Sequence, residues 1–279
     1  MTISVVGLGL IGGSIAKDLK NQINVEVLGV DLNESHQKLA MELGLIHRVV
    51  TLDEAIEKSE VIILAIPVDK IESLLPSVLD KISGETVVTD VGSTKAEICR
   101  VVDGHKNRSR YVAAHPLAGT EFSGPKAAIS HLFVGKKNII CDKEKSDASA
   151  VDTIVKVFNS IGMHTYFLSS EEHDKHLAYV SHLSHVSSFM LGLTVLDIEK
   201  DEKQIFNLAS TGFASTVRLA KSNPSTWSPI FHKNGDNLVK ALESYIDYLH
   251  QFKEAIKSND YDKAESLMKD ANDIKRILN

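Results

Sequence analysis

The sequence predicts a doubly wound parallel α/β sheet followed by an all-α domain, on three observations. Short apolar runs alternate with helical segments through the first 169 positions. One of them, Val61-Ile62-Ile63-Leu64-Ala65-Ile66, is apolar without interruption, as a parallel strand buried on both faces requires. Beyond about residue 169 the strand signals stop and helical composition takes over. The predicted division is therefore 1–169 and 170–279.

The first strand, Ile3-Ser4-Val5-Val6, runs into Gly7-Leu8-Gly9-Leu10-Ile11-Gly12, and Ser14–Leu19 then reads as a helix. A strand, a tight glycine turn and a helix N-terminus aim backbone N–H groups and a positive dipole end at an anion, usually a pyrophosphate. The second strand, Val25–Val30, ends at Asp31, 19 residues beyond Gly12. A carboxylate there accepts hydrogen bonds from ribose hydroxyls and repels a 2′-phosphate, which selects NAD over NADP. Taken alone the glycine pattern is weak, since such turns also serve packing. Strand, helix and terminal Asp together make it a Rossmann-type nucleotide site, with Gly7, Gly9, Leu10, Ile11, Gly12 and Asp31 as candidate contacts.

The remaining elements follow in order. Residues 33–43 form a helix broken at Gly44, His47–Val50 a short strand, and 53–59 a brief helix with an acidic start. Pro67 follows the strand 61–66 at the edge where cofactor contacts gather, and joins the candidates. A helix at 70–82, a strand at 86–91 and a strand at 111–114 leading into His115-Pro116 complete the parallel set. Residues 137–141 and 164–168 are two more strands, joined by an amphipathic helix over 147–161. Segments 171–198, 201–221, 235–257 and 260–278 are helical, with Ser222-Asn223-Pro224-Ser225 as an interruption. Apolar residues surround 183–198 on more than one face, so that helix is predicted to pack against another chain as well as its own domain.

Composition excludes several classes. Hydrophobic content of 43% and charged content of 24% are those of a soluble globular protein. A formal net charge of −6 argues against non-specific nucleic-acid binding. Two cysteines, Cys99 and Cys141, lack metal-type spacing, so neither a disulfide framework nor a metal site is expected, and a reducing cytoplasm is predicted. The first strand consumes residues 2–7 without a basic flank, which leaves no signal peptide to find. No stretch approaches the roughly 20 apolar residues of a membrane span.

Candidate chemistry collects at predicted strand ends. Ser93 or Thr94, after the strand 86–91, suits an N-cap; alternatively the Ser93 hydroxyl faces the crevice, bonding a substrate hydroxyl and a nearby base. Pro116 biases His115 to an extended conformation at the strand tip, where a neutral imidazole can take a hydroxyl proton as hydride leaves. Four histidines follow in His173-Asp174-Lys175-His176 and Ser181-His182-Leu183-Ser184-His185. On a continuous helix at about 100° per residue, His173 points opposite His182, so the set cannot converge on one metal ion. The alternative places His182 and His185 together in the crevice, with His173 capping or orienting the start of the helical domain. Arg218, the single cation of a Ser/Thr-rich stretch, is either a solvated residue or a fork for a substrate carboxylate. Trp227, the only tryptophan, is core, lid or subunit contact.

These motifs, in this order and over the whole chain, resemble the prephenate/arogenate dehydrogenases of tyrosine biosynthesis. His115-Pro116-Leu117-Ala118-Gly119-Thr120-Glu121 and Ser181–His185 carry the resemblance more specifically than the glycine turn, with Asp90–Lys95, Thr211-Gly212-Phe213, Arg218 and Trp227 in support. The family implies an N-terminal Rossmann-type doubly wound parallel sheet followed by an all-α dimerisation domain, with the active site between them. Its substrate, prephenate, is a cyclohexadienol with a ring carboxylate and a pyruvyl side chain. By the resemblance His115 is the general base and Ser93 holds the reacting hydroxyl and adjoins the cofactor. Arg218 pairs with a substrate carboxylate, His182 and His185 line the pocket, Glu121 gates or polarises its entrance, and Trp227 closes it, from its own or the partner subunit. Two positions depart from the pattern: Ala214 stands where many relatives carry a second arginine, and Ser184 where proline is common. No room is left for a fused chorismate mutase or a regulatory ACT domain, so a monofunctional enzyme is expected. Arogenate, which carries an amino acid in place of the pyruvyl ketone, is the alternative substrate. A β-hydroxyacid dehydrogenase would require a catalytic lysine motif that is missing from the helical region. A non-catalytic NAD sensor would have no use for His115, Ser93 and Arg218 together.

Overall fold

The computed structural model describes residues 1–22, 24–200 and 210–276. Eight strands, β1 (Thr2–Val6), β2 (Glu26–Val30), β3 (Arg48–Val49), β4 (Val61–Leu64), β5 (Val87–Asp90), β6 (Tyr111–Pro116), β7 (Lys137–Cys141) and β8 (His164–Leu168), form one sheet. Its order is β3-β2-β1-β4-β5-β6-β7-β8. All neighbours pair in parallel except β6 and β7, which run antiparallel with His115 opposite Ile139. The doubly wound order puts the carboxyl ends of β1, β4, β5 and β6 on one edge, where a ligand crevice forms.

Helices cover both faces. On one side α1 (Leu10–Lys20) and α6 (Ala148–Ser160) bury Ile15, Leu19, Ile154 and Phe158 against Val5, Ile63, Val112 and Ile140. On the other, α3 (Leu52–Lys58) supplies Ala55 and Ile56, and Ile71, Leu75 and Val78 of α4 (Val68–Lys81) pack with Ile62, Leu64 and Val88, whereas α2 (Glu34–Glu42) buries Ala40 on the α1 side. Burying these branched side chains stabilises the sheet by about 1.5–3 kcal/mol apiece. The short α5 (Ala96–Arg100) follows β5.

Beyond β8 the chain is helical, as predicted. α7 (Ser170–Leu177) starts on a capping box, in which the Ser169 side chain accepts from Glu172 N–H and the Glu172 carboxylate accepts from Ser169 N–H. The expectation of one continuous helix over 171–198 is corrected: a π-turn, Ala178–His182, separates α7 from α8 (Leu183–Glu199). Its wider turn breaks the 100° projection used to place the histidines. The first part of the predicted helix 201–221, residues 201–209, lies outside the described residues. Its remainder is α9 (Thr211–Thr216) and a 3-10 turn over Arg218–Lys221, followed by α10 (Pro224–Lys233).

The chain divides into two compact units, 1–234 and 235–279. The second contains α11 (Gly235–Lys257), α12 (Tyr261–Ala271) and a 3-10 turn over Asn272–Arg276. Asp260 caps α12 by accepting from Lys263 N–H. Among the described residues no helix is long and apolar enough to cross a membrane.

Candidate active site

The glycine turn is built for close approach. Gly7 has φ +95°, and a Cβ on it would stand 2.4 Å from the Ala65 carbonyl oxygen. A Cβ on Gly12 would stand 1.9 Å from the Gly7 carbonyl oxygen, whereas one on Gly9 would meet nothing within 4 Å. Gly7 and Gly12 are therefore demanded by the turn itself, and Gly9 leaves open space in front of Leu10 and Ile11. Gly9 caps α1 without any side-chain hydrogen bond, so the first turn of the helix presents bare N–H groups to that space. At the tip of β2, Asp31 accepts from Leu8 N–H and Asn33 N–H, each at 2.9 Å. Those bonds hold the carboxylate beside the turn, with lone pairs left for ribose hydroxyls. The arrangement fits the pyrophosphate and adenosine ribose of NAD. Pro67 precedes α4 at the end of β4, on the same edge.

Beneath the ends of β5 and β6 lies a buried polar cluster. Lys95 Nζ donates to Asp90 and, at 2.9 Å, to the Ala114 carbonyl. Asp90 also accepts from Tyr111 Oη at 2.6 Å and Gly92 N–H at 2.8 Å. Burial and the adjacent Asp90 charge push the Tyr111 phenol well up, so it stays a donor. The expected cap by Ser93 or Thr94 is not formed: α5 has no local side-chain cap, and the Thr94 hydroxyl is buried without a partner. Asp174 from α7 takes that role across the fold, accepting from Lys95 N–H at 2.8 Å and Ala96 N–H at 2.9 Å.

His115 sits at the end of β6, 8% exposed, with Nδ1 2.8 Å from His173 Nε2. His173 Nδ1 in turn lies 2.7 Å from Asp174 Oδ1. Burial, followed by the His173, Lys95 and His182 charges, holds the His115 pKa well below its ordinary value, so the ring is neutral. Burial also lowers His173, against the pull of Asp174. His182 is sealed from solvent; its Nδ1 accepts from Asn234 Nδ2 at 3.1 Å, its Nε2 has no partner among the described residues, and burial lowers its pKa to about 4. His185 stacks on Trp227 of the same chain at 3.4 Å and 25°, and Trp227 also approaches His182 at 6.2 Å.

Arg218 Nη1 donates to Glu121 Oε2 at 3.1 Å across 97 residues of sequence. Ser188 of α8 anchors the Arg218 turn, donating to Thr216 O and accepting from Ala220 N–H. A cavity of about 540 Å³ opens beside Glu121, lined also by Phe122, Lys126, Lys221 and Asn223. The structure thus joins Glu121 with Arg218, and His182 and His185 with Trp227. Ser93 lies half-buried after β5 and makes no hydrogen bond to a described residue. Sequence reasoning assigned no role to Asp174, Lys95, Asp90 or Tyr111, and left His173 to cap or orient the start of the helical domain. Asp90 and Tyr111 are 21 residues apart and Lys95 and Asp174 are 79, so no local spacing announces those contacts.

Nearly the whole chain is similar to known proteins. Residues 15–167 match the model of the prephenate dehydrogenase nucleotide-binding domain, and 169–270 that of the prephenate dehydrogenase dimerization domain. The prephenate dehydrogenase of Bacillus subtilis is 29% identical over 276 residues, 98% of this chain and 74% of that protein. The cyclohexadienyl dehydrogenase of Zymomonas mobilis is 30% identical over 263 residues, 93% and 90%. The crystal structure of A. aeolicus prephenate dehydrogenase with hydroxyphenyl propionate and NAD+ superimposes with a TM-score of 0.90 at 29% identity, covering 100% of this chain and 98% of that one. The chain belongs to the prephenate dehydrogenase family. It is an NAD-dependent oxidoreductase.

Proposed function

We infer that this protein oxidises and decarboxylates prephenate to 4-hydroxyphenylpyruvate, with His115 as general base. One observation carries the assignment of the base: a neutral histidine, anchored through one ring nitrogen, stands at the strand-end edge that also bears the open glycine turn. NAD, held at Gly7–Gly12, Asp31, Pro67 and Ser93, supplies the hydride acceptor.

The residues then act in concert with the substrate's own chemistry. His115 takes the hydroxyl proton as hydride leaves the carbinol carbon and a C=O forms. The bond from the ring to its carboxylate breaks, CO2 departs, and the electron pair aromatises the ring. The proton returns from His115 to the oxygen, leaving a phenol, so no net proton is released. Aromatisation makes the step effectively irreversible. In this reading Ser93 holds the hydroxyl, Arg218 exchanges Glu121 for a substrate carboxylate at the entrance, and His182, His185 and Trp227 wall the ring.

In this reading residues 1–169 hold the cofactor and supply Ser93, His115 and Glu121, and residues 170–279 supply the remaining substrate contacts. A homodimer in the cytoplasm completes it; Met190, Leu193, Leu196 and Ile198 lie exposed around α8, an apolar surface suited to a second copy. The test is NADH formation with prephenate and arogenate, each crossed against NAD and NADP. Activity on prephenate with NAD is expected; turnover of arogenate alone reassigns the substrate, and NADP dependence refutes the role of Asp31. His115→Asn should retain NAD affinity while kcat falls about 10²- to 10⁴-fold; near-normal turnover removes His115 from the mechanism.

A further inference from the structure

We propose that His173 and Asp174 are positioning residues that hold His115 in the Nδ1–H tautomer and so make Nε2 its basic atom. The proposal rests on the reading of His115 as the base, and begins from hydrogen-bond accounting. An ionised carboxylate only accepts, so the 2.7 Å contact between Asp174 Oδ1 and His173 Nδ1 requires the proton on Nδ1. A neutral imidazole carries one N–H, which leaves His173 Nε2 as a lone pair. The 2.8 Å contact from that atom to His115 Nδ1 then requires the His115 proton on Nδ1. The lone pair of His115 is left on Nε2. Among the described residues that atom has no hydrogen-bond partner and is not sealed from solvent, and His115 as a whole is 8% exposed.

The carboxylate that starts this chain is itself immobilised. Asp174 accepts from Lys95 N–H and Ala96 N–H as well as from His173, three donors from two elements. The other charged groups around His115 are otherwise engaged: Lys95 Nζ is tied to Asp90 and Ala114, and Asp90 to Tyr111. His182, the remaining titratable neighbour, faces Asn234 through Nδ1. Among the described residues Asp174 is therefore the one anion connected by hydrogen bonds to His115, through His173. When Nε2 takes a proton, the positive ring keeps its Nδ1–H on His173, and Asp174 balances the charge at one remove. This is the logic by which a buried carboxylate orients a catalytic imidazole, with a second imidazole inserted between them.

Nitrogen-15 spectra of the full-length protein, labelled at histidine and assigned with His115→Gln, read the tautomer directly. Wild type should show His115 protonated at Nδ1 alone at pH 7.5; protonation at Nε2 overturns the proposal, whatever the variants do. His173→Leu removes the acceptor, so His115 should lose its single tautomer and kcat on prephenate should fall about 100-fold, with KM for prephenate and NAD moving less than about twofold. His173→Gln offers an amide oxygen to His115 Nδ1–H and should restore at least about tenfold of that loss. Wild-type kcat in His173→Leu, or a His173→Gln enzyme as slow as His173→Leu, also overturns it. Failure of wild type to oxidise prephenate would reject the activity instead, since the tautomer is read without substrate.

Discussion

His182 ties the stability of this protein to pH. It is fully buried, with Trp227 and Phe231 around its ring, and burial lowers its pKa to about 4. In the unfolded chain the same group titrates near about 6.5. The folded pKa is the lower of the two, so between those values the unfolded chain binds more protons and stability falls as pH falls. The full penalty is present below about pH 4 and amounts to roughly 3 kcal/mol; at pH 5 it is already about 2 kcal/mol. His182→Gln removes the titration and keeps an oxygen to accept from Asn234. Urea unfolding of both proteins at pH 7.5 and pH 5.0 isolates the effect, because carboxylates and the other histidines titrate alike in each. Wild type should lose about 2 kcal/mol more than the variant over that interval. Parallel losses would refute the assignment of a buried neutral His182.

Three further outcomes follow from the same geometry. Gly12→Ala drives a Cβ into the Gly7 carbonyl, so the turn must open; NAD should bind about tenfold more weakly by calorimetry, with about 1–3 kcal/mol of stability lost. Arg218→Ala removes the charge-assisted fork at the entrance and should raise KM for prephenate about 10- to 100-fold at little change in kcat, as steady-state kinetics will show. Lys95→Met leaves Asp90 buried without its cation and should destabilise the protein by about 3–5 kcal/mol in denaturant, a loss that adding Asp90→Leu partly reverses.

By itself the sequence determined whatever depends on neighbours along the chain. Strand runs buried on both faces, the glycine turn with Asp31 at the next strand tip, and the helical second half are all local patterns of period and punctuation. Strands 137–141 and 164–168 and the helix 235–257 match the structure residue for residue. His115 was legible because Pro116 marks a strand end, and strand ends in this fold face the crevice. Tertiary structure alone decided how His115 is held. The π-turn at 178–182 undid the helical projection that set His173 and His182 apart, because one wide turn rotates everything after it. The cap on α5 came not from Ser93 or Thr94 but from Asp174, 78 residues beyond Ala96. A buried donor takes whichever acceptor packing delivers, and sequence separation does not enter that choice. The cofactor turn is thus written in six consecutive residues, while the frame around the base exists only once α7 packs against the start of α5 and the end of β6.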